Sequence, residues 1–255
     1  MLRQSIKSVL RTALRAKGLR VAPGMCIRDL TKILFNHVER DVVRVAKGIV
    51  RKGDVVLDVG ANMGLTARIF SRLVGPGGKV FAFEPDPKTA ELLRHNVRHF
   101  PQCVVTTAAV SEKPGQATFH VHPTSIAGSS LVSFKDCQDT ITVPCVSMDQ
   151  FIEDNKIGRI ALVKIDVEGG ESLVLKGFSK TLQQSPKLPL IIEFAPDNLR
   201  NAGITPDEFF KQLRDAGLDV AWTDDNGVSH PAASAQELVS QLNPHGYLNL
   251  LCVKS

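Results

Sequence analysis

The sequence predicts an α/β protein: a mostly parallel sheet with helices on both faces. Three observations lead there. The apolar run Val55-Val56-Leu57-Asp58-Val59 leads directly into Gly60, Asn62 and Gly64. A second apolar run, residues 79–83, ends in the acid Glu84. Strand-length runs then alternate with stretches long enough for helices. Strands spaced in this way join by right-handed crossovers into a sheet buried on both sides.

Taken in order, residues 2–17 read as an amphipathic helix. Arg3, Lys7, Arg11 and Arg15 recur every four residues, while Leu2, Ile6, Val9, Leu10, Ala13 and Leu14 line another face. Residues 28–50 are helix-like and lead to the turn Arg51-Lys52-Gly53-Asp54. A strand at 54–59 precedes a helix near 64–74, which Gly75-Pro76-Gly77-Gly78 breaks. A strand at 79–84 precedes a helix at 86–99 with Pro87 in its first turn, and a strand at 103–109 follows. Residues 116–146 break this rhythm. Residues 117–122 and 140–146 read as strands of a β-rich insertion, with the small, polar segment 125–130 between them. The alternation resumes with a short helix at 148–155, a strand at 160–166, a helix at 169–184 and a strand at 189–195. Thr205 as cap and Pro206 in the first turn start a helix that runs to Gly217. Strands near 218–223 and 247–253 come last. The expected organisation is an N-terminal extension over 1–27 and one α/β domain over 28–255, with 116–146 inserted in it.

Composition narrows the class. The chain has 255 residues, 43% apolar and 22% charged, which is ordinary for a globular protein. No run approaches the roughly 18 apolar residues of a membrane-spanning helix, and the N-terminus lacks the apolar core of a signal peptide. The five cysteines are odd in number, scattered and without a C-x-x-C pair. That argues against a disulfide framework or a cysteine zinc site and for a reducing, cytoplasmic setting. Six basic residues and no acid fall within residues 1–20, leaving 25 basic against 26 acidic residues in the remainder. With one Trp, one Tyr and no basic stripe interleaved with aromatics, a nucleic-acid partner has no support. Three readings of residues 1–20 stand: a helix docked on the domain, a peripheral foot on the inner face of an anionic membrane, or a transit peptide.

The chemistry concentrates at three points. A strand entering a glycine turn and then a helix aims backbone N–H groups and a positive helix end at one place. Residues 58–64 carry G-x-N-x-G rather than G-x-G-x-x-G. The second glycine of the latter lets the backbone approach a pyrophosphate, and Asn62 stands there instead. A cofactor without a diphosphate suits this turn, so S-adenosylmethionine ranks above NAD. Glu84, closing the next strand, is placed to accept from a ribose diol. The third point is Asp166-Val167-Glu168-Gly169-Gly170-Glu171, where a strand delivers Asp166 to the ligand-binding edge of the sheet. One of these acids is expected to serve the helix that follows.

The combination Asp58-Val59-Gly60-Ala61-Asn62-x-Gly64, Phe83-Glu84-Pro85 and Lys164-Ile165-Asp166-Val167-Glu168-Gly169-x-Glu171, with Val174-Leu175-x-Gly177, resembles the FkbM-type S-adenosylmethionine-dependent methyltransferases. The resemblance covers roughly residues 50–200. It implies a Rossmann-like class I methyltransferase fold with a seven-stranded, mostly parallel sheet whose last strand, near 247–253, is antiparallel. It also implies methylation of a hydroxyl on a sugar, glycan, lipid-linked or secondary-metabolite acceptor.

On this reading Asp58, Gly60, Ala61, Asn62, Gly64, Glu84, Pro85, Ala109 and Asp166 form the cofactor site, with Ala109 at the adenine edge. An alcohol must lose its proton during attack, and Asp166 and Glu168 are the candidate bases. His120 and His122 come next. Asp166 and Glu193 close adjacent strands and offer oxygen ligands suited to Mg²⁺, but nothing in the spacing demands it, so no metal ligand is assigned. The insertion is expected to shape the acceptor site through Ser129 and Ser130. The competing readings are an NAD-dependent oxidoreductase and a catalytically inactive binding module.

Overall fold

The computed structural model describes residues 2–23, 25–35, 39–122, 129–133, 139–185 and 187–254. Its main sheet starts at β1 (Val55–Val59), with β2 (Lys79–Phe83) and then β3 (Cys103–Thr106) parallel on one side. On the other side lie β7 (Leu162–Ile165) and β8 (Pro189–Phe194), also parallel. Beyond them β11 (Leu248–Lys254) runs antiparallel between β8 and β9 (Leu218–Thr223). Val56, Leu57, Asp58 and Val59 are all fully buried, as a central parallel strand covered on both faces requires.

The two faces are separate cores. Val56 packs with Val42, Val45, Phe70 and Val74, from α3 (Arg40–Ile49) and α4 (Leu65–Val74). Leu57 and Val59 face a larger cluster that includes Val163, Ile165, Phe178, Phe194 and Phe209.

The expected seven strands become eight, because β10 (Ser229–Pro231) adds a short antiparallel edge to β9. The expected strand over 103–109 divides. β3 ends at Thr106, and β4 (Ala109–Val110) leaves to pair with β6 (Asp139–Val146), which also carries β5 (Gly115–Val121). These three strands form a second sheet built largely from the predicted insertion. Residues 123–128, which hold much of its small, polar segment, lie outside the described residues. Ser130 ties the insertion down: its hydroxyl donates to the carbonyls of Glu168 at 2.7 Å and Val167 at 3.2 Å.

Helices differ from expectation where close packing intervenes. The stretch 28–50 holds α2 (Ile27–Leu34) and α3, the latter started by Glu39 at φ 48°. α5 (Pro87–Val97) starts on Asp86, whose carboxylate accepts from Lys88 N and Thr89 N. α10 (Pro206–Asp215) carries a full capping box between Thr205 and Glu208. After α6 (Met148–Asp154), the helix predicted over 169–184 is two, α7 (Glu171–Lys176) and α8 (Ser179–Gln184), because the chain at Gly177 passes against the β4–β5 turn. α9 (Pro196–Asn201) and α11 (Ala235–Ser240) have six residues each, too few for the sequence to show a helical period. α1 (Leu2–Ala16) packs on α2, its Leu14 fully buried with Leu19, Leu30, Ile33 and Met63. The Arg11 guanidinium donates to Ala22 O at 2.8 Å. Among the described residues no helix is long and apolar enough to cross a membrane.

A Cβ at Gly177 would stand 2.2 Å from Ser111 O, a backbone atom that cannot swing away. Gly177→Ala is therefore expected to cost about 1–3 kcal/mol in urea denaturation. Gly158→Ala, with nothing within 4 Å of its Cβ, should change stability by less than about 0.5 kcal/mol. Equal midpoints for the two variants would contradict the tight contact.

Candidate active site

A cavity of about 650 Å³ opens at the carboxyl ends of β1, β2, β7 and β8. The second sheet contributes Phe119 and the nearby Ser129 and Leu131, and the segment before β11 contributes His245 and Tyr247. Gly60, Ala61, Asn62, Glu84, Pro85, Ala109, Asp166 and Glu168 all line it. Asp58 and Gly64 do not reach its surface. His120 and His122 also lie off it.

The glycine turn is shaped from behind. Gly60 (φ 79°), Asn62 (φ 50°) and Gly64 (φ 84°) all adopt left-handed backbone. A Cβ on Gly60 would stand 1.7 Å from Asp166 O, so the exit of β7 demands glycine there. At Gly64 the obstacle is Leu93 of α5, 2.5 Å from the would-be Cβ, so this glycine serves helix packing. Gly60 N and Ala61 N both donate to Phe83 O, at 3.1 and 2.9 Å, which locks the turn to the end of β2.

Charge is dense around this turn. Asp58 is fully buried; its Oδ2 accepts from the Thr66 hydroxyl at 2.8 Å, while Oδ1 has no partner among the described residues. Burial pushes its pKa up. Lys164 lies directly opposite on β7 and is 2% exposed. Its ammonium donates to Asp166 Oδ2 at 2.8 Å and stands 3.5 Å from Glu39 Oε2. Burial opposes the Lys164 charge, but Asp166, Glu39 and Asp58 outweigh it and hold the ammonium protonated well beyond its ordinary range. Glu39 itself is pushed up to about 7 by burial.

The remaining carboxylates divide by task. Glu84 accepts from Asp86 N at 2.9 Å and is raised to about 8 by burial. Glu168 (φ 57°) accepts from Asn198 Nδ2 at 2.7 Å and is raised to about 8, by burial first and then by the charges of Asp166 and Glu171. Glu171 accepts from Val167 N at 3.1 Å and Gly169 N at 3.2 Å. It clamps the turn and is the acid of the motif that serves the backbone. Glu193 is raised well above its usual range by burial and then by its acidic neighbours. Oxygens of Asp166, Glu168 and Glu193 lie within 4.8 Å of one another. This is a hard-oxygen donor set of the kind a divalent cation takes, although Lys164 already supplies a positive charge to Asp166.

Sequence reasoning missed Glu39, Asn198, His245 and Tyr247 and saw Glu193 only as an oxygen ligand. For Glu193, the signal was an acid at the end of an otherwise apolar strand. Glu39 and Tyr247 lie in segments whose patterning carries no such mark.

Residues 58–219, more than half of the chain, match the model of the methyltransferase FkbM domain. The chain belongs to the FkbM methyltransferase family. Hexuronic acid methyltransferase AglP of Haloferax volcanii is 32% identical over 198 residues, covering 77% of either chain. 31-O-demethyl-FK506 methyltransferase FkbM of Streptomyces tacrolimicus is 32% identical over 57% of this chain and 68% of its own. 2-O-methyltransferase NoeI of Sinorhizobium fredii is 29% identical over 62% and 69%. In fold, the chain is similar to the crystal structure of a candidate rRNA-methylase from Clostridium thermocellum. That match has a TM-score of 0.51 and 12% identity, over 84% of this chain and 95% of that one.

As an FkbM-family enzyme this protein is an S-adenosylmethionine-dependent methyltransferase, and the oxidoreductase and inactive-module readings fall. The residues present fit that cofactor. Glu84 stands at the cavity wall, accepting from Asp86 N, and the unpartnered Asp58 Oδ1 lies behind the turn.

Six carboxyls have raised pKa values, and all push the pH response in one direction. Glu39, Glu84, Glu168 and Glu171 hold their protons to about 7 or 8 when folded, against about 4.3 for an unperturbed glutamate. The folded state therefore binds more protons than the unfolded state between those values. Their contribution is fully present below the unfolded pKa and is lost as pH rises through 7–8. The melting temperature of cofactor-free protein should fall from pH 6 to pH 9. A flat or rising profile would contradict the burial of these groups.

Proposed function

We propose that this enzyme methylates a hydroxyl on a sugar, glycan, lipid-linked or secondary-metabolite acceptor. One observation carries the reading. Glu168 lines the cavity beside Asp166 with its pKa raised to about 8, close to the value best suited to a general base near neutral pH. The relatives agree: one is a hexuronic acid methyltransferase, and two are named for methylation at an oxygen position.

When bound, the cofactor supplies an electrophilic methyl carbon on a sulfonium. In our reading the turn at Gly60, Ala61 and Asn62 holds its methionine portion, with Asp58 and Gly64 supporting that turn from behind. Glu84 accepts from its ribose diol, and Pro85 and Ala109 border the adenine. Glu168 would take the proton of the acceptor hydroxyl, freeing its oxygen for the methyl group that the bound cofactor would supply. Asn198 orients the Glu168 carboxylate through its 2.7 Å bond. Asp166, neutralised by Lys164, positions the acceptor hydroxyl. Alignment of this kind is worth about 7–11 kcal/mol in well-oriented systems. The insertion residues Phe119, Ser129 and Leu131 shape the acceptor side, while Ser130 is committed to the carbonyls of Val167 and Glu168.

Labelled S-adenosylmethionine offered with a panel of polyhydroxy acceptors tests the reaction class. An O-methyl product located by mass spectrometry is expected, and an N- or C-methyl product would overturn the reading. With a working acceptor, kcat should rise with pH through about 8 as Glu168 loses its proton. Glu168→Gln should remove that rise and lower kcat by about 10²–10⁴-fold, with affinity for S-adenosylhomocysteine nearly unchanged. A retained pH limb in the variant would assign the base elsewhere. Turnover should survive excess EDTA, since Lys164 supplies the charge at Asp166. A loss restored by Mg²⁺ would assign a cation to Asp166, Glu168 and Glu193.

A further inference from the structure

A second recess, of about 560 Å³, opens between α3 and α4 beside the end of α1. Ile33, Glu39, Leu65 and Thr66 line both this recess and the reaction cavity, so the two adjoin. One is lined by acids and the other by bases. The reaction cavity is lined by Glu39, Glu84, Asp166, Glu168, Glu193 and Asp197, and among its described lining residues there is no lysine or arginine. The recess is lined by Lys17, Arg40, Arg44, Lys47, Arg68 and Arg72, with Glu39 as its acid.

The helical repeat puts these cations together. Arg40, Arg44 and Lys47 fall at i, i+4 and i+7 on α3, and Arg68 and Arg72 at i and i+4 on α4, so each set shares one helix face. Among the described residues none of the six is ion-paired with a carboxylate. Some have neutral partners. Arg68 donates to Asn96 O at 2.6 Å, Lys17 to Leu34 O at 2.6 Å and Arg44 to Asp225 O. Those carbonyls fix the side chains without cancelling their charge. Arg40, Lys47 and Arg72 are exposed. The near-neutral average of the chain beyond residue 20 conceals this segregation.

Uncompensated like charges gathered in a recess repel one another, and an anion relieves that repulsion. Guanidinium groups suit phosphate oxygens in particular, through paired N–H donors. The described lining of the reaction cavity offers an anionic group on the acceptor no lysine or arginine. The adjoining recess offers it six.

We propose that this recess is a phosphate-binding subsite for the acceptor. It holds a mono- or diphosphate group while the hydroxyl to be methylated stands in the acidic cavity. The proposal rests on the hydroxyl-acceptor reading above.

The test is titration of the full chain, saturated with S-adenosylhomocysteine, with inorganic pyrophosphate. Saturable binding that weakens with added salt is expected. The variant Arg40→Gln/Lys47→Gln/Arg72→Gln should weaken it by about tenfold or more, as loss of three charge-assisted contacts implies. S-adenosylhomocysteine affinity in that variant should stay within about twofold, which shows that the fold and cofactor cavity are intact. Absence of saturable binding in the wild type, or binding indifferent to the three substitutions, would overturn the proposal. A parallel arm uses phosphatidylglycerol vesicles with phosphatidylcholine as control. Capture by the anionic vesicles without pyrophosphate binding would assign the cations to a lipid surface and also overturn it. Failure of S-adenosylhomocysteine to bind would strike the cofactor cavity instead, and pyrophosphate titrated alone would still decide the subsite.

Discussion

The structure at the carboxyl edge of the sheet depends on one buried ammonium. Lys164 reaches from β7 to Asp166, to Glu39 at the start of α3, and into the field of Asp58 on β1. An unpaired carboxylate so deep in a sheet would cost several kcal/mol and take up a proton instead. One cation shared among three acids lets the strand ends and a helix cap converge there. Removing it would leave buried negative charge uncompensated, which is the more damaging way to break such a cluster.

Around that ammonium, backbone sterics and electrostatics reinforce each other. Gly60 gives way to Asp166 O, Phe83 O takes the turn's two N–H groups, and Glu171 clamps the backbone that presents Glu168. Ser130 fastens the insertion to the same turn. The left-handed residues Asn62 and Glu168 both line the cavity, each in a conformation that the surrounding contacts must impose. The backbone frame thus sets where the carboxylates that face the cavity stand.

Much of this was legible in the sequence because it is local. The runs at 54–59 and 160–166 announce buried strands, and Pro87 and Thr205 announce helix starts. What could not be read is what two distant segments do to each other. Gly177 splits a helix only because Ser111 O lies against it, and β4 leaves the main sheet only because β6 offers it a partner. Asp58 and Gly64 belong to the motif by sequence but stand behind the cavity wall, one facing Thr66 and the other Leu93. Tyr247 reaches the cavity from the far end of the chain, which no local pattern foretells. The basic faces of α3 and α4 are periodic in the sequence, but their alignment across one recess is tertiary.

The central claim is that the cavity beneath the Gly60 turn takes an adenosine cofactor without a diphosphate, with Glu84 accepting from its ribose. Calorimetric titration of the wild type and Glu84→Ala with S-adenosylhomocysteine, with NAD as the parallel control, tests it most directly. Micromolar binding of S-adenosylhomocysteine to the wild type, a large loss in the variant and no heat from NAD is the predicted result. Binding of NAD, or equal affinity of S-adenosylhomocysteine for both proteins, would contradict it.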